Sequence, residues 1–366
     1  MDSITHLFYG GAIAAAIVPA RHRRAALLAG AALNTLPDLD ILPLALSDNP
    51  IVQLTCHRSA THSWLVLPFV AWAIWAFHRR RGGRVAESPV RWWWAIFACL
   101  MAHPLLDAFT VYGTQLLWPL PMPPIMWSSL FIIDPWFTLP WFAACVVAWF
   151  ARERIGTRAL ALGIALGVGY VGWSLVAKAM VDRAATPALA AIGLADAPRF
   201  SVPAPLTTLR WRVVAMEEGG YVVGTRRLGD AAPMTFRFHP SDTAALEGAA
   251  DVPAVRRLSW WNHGFQKAEV RDGTLVLSDL RMGSEPDYSF AYAVAQRSGD
   301  GWDAIRPYNT ARMQTRKALA MFVRRLLHGE KVKVKFGADA ARQPAGEAAQ
   351  AATGSPGGTP AARASK

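Results

Sequence analysis

Charged side chains are scarce in this chain. They make up 17% of its 366 residues, whereas hydrophobic residues make up 53%. A soluble domain usually carries about 25% charged residues, so the deficit indicates a membrane protein. The mean hydropathy of +0.20 is modest for that class because it averages an apolar front half with a more polar back half.

Cysteine is also scarce, and its spacing argues against a thiolate zinc site and against a disulfide framework. The three cysteines, Cys56, Cys99 and Cys145, form no Cys-x-x-Cys pair. A thiolate zinc site or a disulfide framework therefore has little support. Cys99 and Cys145 lie inside apolar runs and are expected to be small buried residues.

Acidic residues are fewer than basic ones, 26 against 38, which gives a formal net charge of +12. Such a balance could indicate nucleic-acid binding. The basic residues, however, cluster in short loops between apolar runs and again near the C-terminus. Loop clusters have a topological explanation in membrane proteins, so we expect membrane lipid as a partner and no nucleic acid.

Six apolar runs predict a multi-span helical membrane domain. They are Leu7–Ala20, Ala25–Leu46, Trp64–Phe77, Arg91–Ala102, Pro135–Phe150 and Leu160–Val181. The N-terminus does not resemble a cleaved signal peptide, since Asp2 precedes the first run and the arginines follow it.

The arginines predict the orientation of these runs. If the chain starts outside and crosses at each run, the loops 21–24, 79–91 and 152–158 lie in the cytoplasm and carry eleven arginines. The outer loops, 47–61 and 109–133, carry only Arg58. This asymmetry is typical of inner-membrane proteins.

Seven imidazole and carboxylate groups stand at the boundaries of the apolar runs, all on the predicted outer side. They are His6, Asp38, Asp40, His57, His62, His103 and Asp107. Clustered groups of this kind suit divalent metals, with zinc favoured by histidine and manganese or magnesium by carboxylates. We predict that all seven meet in one metal site. The remaining histidines are expected to be interfacial or structural: His22, His78, His239, His263 and His328.

The spacing of these groups sets conditions for their convergence. His103 and Asp107 share a helix face if the helix continues through Pro104, and proline is best accepted in the first turn of a new helix. Pro37 with the neighbouring carboxylates should end a helix partway through the membrane. Asp38 and Asp40 would project to one side of an extended segment.

Four ordered blocks carry a family resemblance. They are Asp2-Ser3-Ile4-Thr5-His6, Leu36-Pro37-Asp38-Leu39-Asp40, His57-Arg58-Ser59-Ala60-Thr61-His62-Ser63 and His103-Pro104-Leu105-Leu106-Asp107. Residues 1–180 resemble the bacterial membrane-bound metal-dependent hydrolases of the YdjM/YbcI type, the domain of unknown function 457. That resemblance implies a multi-pass inner-membrane hydrolase whose substrate is not established. A more distant similarity, to the zinc-dependent phospholipase C and P1 nuclease group, would imply phosphoester hydrolysis.

Roles for two further residues follow from hydrolytic chemistry. Arg58 could hold a phosphate oxygen, because its fork of N–H donors matches that geometry. Thr61 is a second catalytic candidate, with orientation of a ligand or capping of a helix favoured over attack as a nucleophile. His57 and His62 can reach one centre only if the loop between them folds back. A site on the outer face would suit a lipid or a lipid-linked phosphoester.

Two rival functions remain open at this stage. A metal-stabilised scaffold with a partner-binding β domain would need only a closed site of four ligands. A transporter could relay ions or protons through the same aspartates and histidines. No internal repeat, common in transporters, is evident.

The second half of the chain predicts a small antiparallel β-rich domain. Candidate strands lie at Leu209–Val214, Tyr221–Thr225, Thr235–Phe238, Arg257–Trp261, Thr274–Leu280 and Ser289–Ala295. Gly219-Gly220 and Asp272-Gly273 are typical hairpin turns. The predicted domains are 1–185 in the membrane, 186–336 as a soluble domain and 337–366 as a disordered tail. Within the soluble domain, a linker-like stretch at Pro198–Pro205 precedes the strands, and a basic amphipathic helix near Thr310–His328 follows them. The topology puts the soluble domain on the periplasmic side.

Overall fold

Helices occupy the first half of the chain and antiparallel sheets the second in the computed structural model, which describes residues 1–311. These residues lie in one compact unit. The first nine helices are α1 (Ser3–Ile17), α2 (Arg23–Thr35), α3 (Ile41–Leu44), α4 (Pro50–Cys56), α5 (Leu67–Arg80), α6 (Arg84–Glu87), α7 (Pro89–Ala108), α8 (Pro135–Phe150) and α9 (Glu153–Ala190). The predicted basic helix, beyond its first two residues, and the predicted tail lie outside the described residues.

Helices α1 and α2 pack with almost no side chain between them. A Cβ atom built on Gly30 would lie 2.2 Å from the carbonyl oxygen of Gly10, so only glycine fits at this crossing. Asp2 caps α1, since its carboxylate accepts hydrogen bonds from the backbone N–H and the hydroxyl of Thr5 at 3.0 and 2.6 Å. The crossing fixes His6 of α1 against Asn34 of α2.

Two helical stretches are long and apolar enough to cross a membrane, Ala20–Leu44 and Glu153–Ala190. A third candidate is the pair Pro50–His62 and Leu67–Arg80, which bends by 58° at its break. Helices α1 and α8 are apolar but shorter than a typical span. By length and composition, the described chain therefore has two or three candidate spans, where the sequence predicted six crossings.

The breaks in these stretches occur where the polar motifs lie. Helix α2 ends at Thr35, and Leu36–Asp40 continues as a 3₁₀ helix, so Pro37 ends the helix as predicted. The expectation that Asp38 and Asp40 lie in an extended segment was wrong. Successive residues of a 3₁₀ helix rotate by about 120°, which sends these two carboxylates to different surroundings.

Helix α7 passes through Pro104 without ending and continues to Ala108. The prediction that a new helix starts at Pro104 was therefore wrong. The prediction that His103 and Asp107 share one helix face is confirmed. They lie one turn apart on α7, with His103 Nε2 and Asp107 Oδ2 3.3 Å apart. Both residues are fully buried.

The arginine-rich loops meet at one end of the helices. Arg21 donates to the Ser88 hydroxyl at 3.2 Å, and Arg23 donates to the Glu153 carbonyl at 2.7 Å. These contacts join the loops 21–24, 79–91 and 152–158. The candidate metal ligands stand at the opposite ends of α2, α5 and α7, so the helices separate a basic end from an end that carries the candidate ligands.

Two four-stranded antiparallel sheets and a two-stranded hairpin form the second half. Their orders are β1-β2-β3-β4, β10-β9-β6-β5 and β7-β8. The strands are β1 (Arg199–Pro203), β2 (Arg210–Glu217), β3 (Gly220–Arg227), β4 (Phe236–Pro240), β5 (Gln266–Arg271), β6 (Thr274–Asp279), β7 (Gly283–Ser284), β8 (Asp287–Tyr288), β9 (Ala291–Ser298) and β10 (Gly301–Asn309). Helices α10 (Thr243–Gly248) and α11 (Pro253–Trp261) lie between β4 and β5.

Two predictions for this half were wrong. The supposed strand Arg257–Trp261 belongs to α11, because Val255, Leu258 and Trp261 recur at helical spacing and are all buried. The supposed linker Pro198–Pro205 contains β1, which pairs with β2 at the edge of its sheet. A strand edge tolerates proline since no ladder hydrogen bond is lost there. The Asp272-Gly273 turn is confirmed, with positive φ at both residues.

The second half packs against the end of the helices that carries the candidate ligands. Ser128 donates to the Ser201 carbonyl at 2.8 Å, and Arg281 donates to the Tyr112 carbonyl at 3.2 Å. Tyr112 also shares a buried apolar cluster with Leu54 and Trp261. The sheets therefore cover this end of the helices and shield the polar groups beneath.

Candidate metal centre

Two aspartates and two histidines from three separate segments converge at the breaks of the candidate spans. They are Asp38 of the 3₁₀ segment, His62 from the break between α4 and α5, and His103 with Asp107 from α7. One ligand atom of each lies within 4.8 Å of every other. Three are fully buried, while the Asp38 side chain keeps 17% of its exposure. We call these four residues the central cluster.

Five of the six distances inside the central cluster are close to those of a tetrahedral site. The two Nε2 atoms of His62 and His103 lie 3.0 Å apart. Each lies 3.4 Å from Asp38 Oδ1, and they lie 3.5 and 3.3 Å from Asp107 Oδ2. Ligand atoms at about 2.0–2.1 Å from a tetrahedral zinc stand about 3.3–3.4 Å from each other. The sixth distance, between the two carboxylates, is within 4.8 Å, so the four groups stand close enough together to be a candidate site for a small divalent ion.

The two imidazoles of the central cluster are oriented by partners on their other nitrogens. His103 Nδ1 lies 2.5 Å from the Asn34 carbonyl oxygen, which can only accept. His62 Nδ1 lies 3.0 Å from the Thr61 hydroxyl. Because the Thr61 hydroxyl donates its hydrogen to Asp40, it accepts from His62 Nδ1. Both imidazoles then carry the proton on Nδ1 and turn the Nε2 lone pair toward the aspartates, which is the tautomer that binds metal.

His6 lies next to the central cluster and has the same tautomer, with the proton on Nδ1. Its Nδ1 lies 2.9 Å from Oδ1 of Asn34, and its Nε2 lies 3.3 Å from Asp107 Oδ1. The amide nitrogen of Asn34 donates to the Cys99 carbonyl at 2.6 Å, which fixes the amide orientation. His6 is thus a fifth candidate donor, and the third imidazole nitrogen, beside the central cluster.

Lone pairs and carboxylates that face one another in a buried place repel unless a cation lies between them. Here three imidazole nitrogens and Asp107 meet with no water-accessible surface. Oδ2 of Asp107 is buried and has no hydrogen-bond partner among the described residues, although the two histidine nitrogens approach it. Both the donor set and this orphaned oxygen fit a divalent metal ion.

The other oxygen of Asp107 is satisfied by cationic groups. Arg58 Nη2 lies 3.0 Å from Oδ1, and the amine of Met1 donates to the same oxygen. One carboxylate oxygen is therefore held by the protein, while the second points into the central cluster. Such a division is typical of a metal-ligating carboxylate.

Asp40 and His57, which the sequence analysis grouped with the ligands, form a separate network. Asp40 Oδ1 lies 2.7 Å from His57 Nδ1. Asp40 Oδ2 accepts from the Arg58 backbone N–H at 3.1 Å and from the Thr61 hydroxyl at 2.9 Å. Because Thr61 also contacts His62, the Asp40 carboxylate orients a ligand of the central cluster through one hydroxyl. We call Asp40, His57 and Thr61 the flanking network.

Arg58 connects the two groups. Its backbone adopts a positive φ of 63°, a conformation uncommon for a residue with a side chain, and its side chain turns inward. Nη1 donates to Thr110 at 3.1 Å, and the guanidinium lies 4.8 Å from the ring centroid of Tyr112. Nε is buried without a hydrogen-bond partner in the described part of the chain, so one donor remains for a ligand.

Sequence reasoning missed Asn34 and Tyr112. Asn34 is the polar residue that precedes Thr35-Leu36-Pro37 inside an apolar run, and this isolation was an available signal. Nothing in the sequence distinguishes Tyr112 from other aromatic residues. Two histidines assigned to the structural class do have structural contacts: His22 with Glu87 at 3.0 Å and His263 with the Pro124 carbonyl at 2.8 Å.

Comparison with known proteins places the helical half in a family. Residues 1–181 match the family model described as YdjM inner membrane protein, which contains all four motif blocks and every candidate ligand. No curated protein and no solved structure matches the chain. Over residues 1–181, the chain therefore belongs to the YdjM inner membrane protein family.

Proposed function

We propose that this protein is a membrane-embedded, metal-dependent hydrolase that cleaves a phosphoester of a lipid or lipid-linked substrate. The observation that carries the proposal is the central cluster itself, in which two imidazoles and two carboxylates converge beside a buried arginine. A divalent ion held there, with zinc favoured by the two histidines, would polarise the ester and lower the pKa of bound water to about 7.

The chain's own residues divide the remaining work. Asp38, His62, His103 and Asp107 would hold the ion, and His6 stands beside them as a further donor. Thr61 and the Asn34 carbonyl keep the two ligand imidazoles in the metal-binding tautomer. Arg58 offers its unpartnered Nε to a phosphate oxygen. Asp38 retains the most exposure in the cluster, so substrate would approach from its side.

The proposed location is the outer, periplasmic face of the inner membrane. The support is that the arginine-rich loops and the central cluster lie at opposite ends of the helices. Basic loops remain preferentially in the cytoplasm. An active centre at the opposite end would meet lipid headgroups of the outer leaflet.

The test is metal content and hydrolysis measured on the same preparations. Full-length protein, purified in a neutral detergent, should contain about one or more equivalents of zinc and release product from phospholipid or lipid-phosphate substrates. His62→Ala and His103→Ala should lose both. The histidines are preferable to Asp107, whose removal would leave the Arg58 guanidinium buried and unpaired at a cost of about 3–5 kcal/mol.

His78→Ala is the matched control, since this histidine is exposed at the opposite end of α5. It should leave metal content and activity unchanged. Metal-free wild-type protein with full hydrolytic activity would contradict the proposal.

A structural metal site is the second candidate, and one observation favours it. The four closest donors, two histidines and two aspartates, equal the number that a closed structural zinc uses. In that case His62→Ala would lower thermal stability and metal content, while wild-type protein with its metal would hydrolyse no phosphoester. A transporter would instead retain metal in these variants and lose uptake.

A further inference from the structure

A second cavity lies beside the central cluster, where the two halves of the chain meet. Its volume is about 520 Å³, within the range of small-molecule sites. One wall consists of the loops around Ser59 and Gln115, and the other of α11. The family match ends at residue 181, so α11 is a wall that the second half of this chain adds.

The charge of this cavity is entirely positive. Arg256 and Arg257 line it together with polar and apolar residues, and no acidic residue lines it. Neither guanidinium has a carboxylate within 4.0 Å among the described residues. Two guanidiniums in a concave site with no carboxylate beside them attract an anion, and their forked donors match phosphate.

Arg257 is held in place rather than free in solvent. Its Nε donates to the Thr55 hydroxyl at 2.9 Å, and its guanidinium lies 4.3 Å from the ring centroid of Trp260. These contacts use one face and one edge of the group. Arg256 is exposed at the rim, so the cavity combines one cation held by neighbours and one exposed to solvent.

The rim beside these arginines is aromatic and apolar. Trp118 is 38% exposed and Leu120 is 50% exposed, and both line the cavity with Pro119 and Pro121. Exposed tryptophan next to exposed leucine is typical of the membrane–water interface. A ligand held here would place its charge on the arginines and its apolar part against Trp118 and Leu120.

The cavity is adjacent to the central cluster through one loop. Cys56 and Ser59 line it, and between them His57 and Arg58 face the other way, toward Asp40 and Asp107. The backbone N–H of Gln115 donates to the Arg58 carbonyl at 3.0 Å. A phosphate group in this cavity would therefore lie a single loop away from the proposed reaction centre.

We propose that this cavity binds the phosphate headgroup of an anionic glycerophospholipid. Its assignment as a substrate subsite rests on the proposed hydrolase function, whereas the binding itself requires no metal and no turnover. Lipid is favoured over free phosphate because the arginines adjoin an exposed apolar rim.

The test is a binding titration of the full-length protein, stripped of metal, in a neutral maltoside detergent. The probes are dihexanoyl phosphatidylglycerol, dihexanoyl phosphatidylcholine and inorganic phosphate, followed by calorimetry. We expect phosphatidylglycerol to bind tightest, and Arg256→Gln to weaken it about tenfold, the loss of one charge-assisted hydrogen bond. Arg237→Gln, an exposed arginine of β4, is the matched control and should bind as the wild type does.

Equal affinities for the two lipids, or equal affinities of Arg256→Gln and Arg237→Gln, would overturn the proposal. Binding of inorganic phosphate with no preference for phosphatidylglycerol would overturn the lipid assignment. Because the protein is metal-free, a negative result here leaves the hydrolysis test intact, and failure of hydrolysis leaves this binding result intact.

Discussion

Asp38 and Asp40 stand two residues apart, yet they belong to different parts of the molecule. Asp38 joins the central cluster, where its Oδ1 faces two histidine nitrogens at 3.4 Å. Asp40 joins the flanking network and accepts hydrogen bonds from a backbone N–H, a hydroxyl and His57. A carboxylate that accepts three hydrogen bonds from the protein is suited to orient its neighbours, while one whose oxygen faces other electron-rich atoms is suited to bind a cation.

The largest effect should come from Asp38→Asn. The change keeps the shape of the side chain and removes the charge that faces His62 and His103. We expect zinc affinity to fall by more than about 100-fold, beyond the range caused by changes to supporting residues. Competition with a chromophoric chelator measures it, and an unchanged affinity would remove Asp38 from the ligand set.

Asp40→Asn, the matched isosteric change, should have a smaller effect. The amide can accept at only one oxygen, so the Thr61 hydroxyl or His57 loses its partner and His62 becomes less well oriented. We expect zinc affinity to fall by about 10–100-fold with the binding stoichiometry retained at saturating zinc. If Asp40→Asn abolished binding and Asp38→Asn did not, the assignment of the two aspartates would be reversed.

Thr61→Val should produce the smallest loss. Valine matches threonine in shape but breaks the link from Asp40 to His62, which removes one oriented hydrogen bond. We expect about a tenfold fall in zinc affinity, and Thr61→Ser should restore most of it because the hydroxyl returns. Equal affinities of the valine and serine variants would show that the hydroxyl does not orient His62.

Much of the candidate metal centre could be predicted from the sequence, and the rest depends on local backbone geometry. Polar motifs at the ends of apolar runs predicted the convergence, because buried imidazoles and carboxylates need one another or a metal. The separation of Asp38 from Asp40 depends on a 3₁₀ turn, which no residue pattern distinguishes from extended chain. The continuation of α7 through Pro104 is likewise set by tertiary packing.

The strands of the β-rich half could be predicted where a Gly-containing turn marked their ends. They were harder to predict where the spacing of buried residues was that of a helix. Asp272-Gly273 identified its hairpin, since few other residues accept two successive positive φ values. Arg257–Trp261 contains alternating bulky residues and was mistaken for a strand, although its buried positions follow a helical period. The separate domain boundaries at 185 and 336 stay a prediction, and the described residues pack as one unit.

The contact between Gly10 and Gly30 also controls the geometry of the candidate metal centre. Asn34 lies one turn beyond Gly30 and contacts both His6 and His103. A single added methyl group at either glycine would push α1 from α2 and shift two imidazoles at once, with every ligand still in place. The spacing between two helices, and not only the choice of donor atoms, would then decide which ion suits the proposed site.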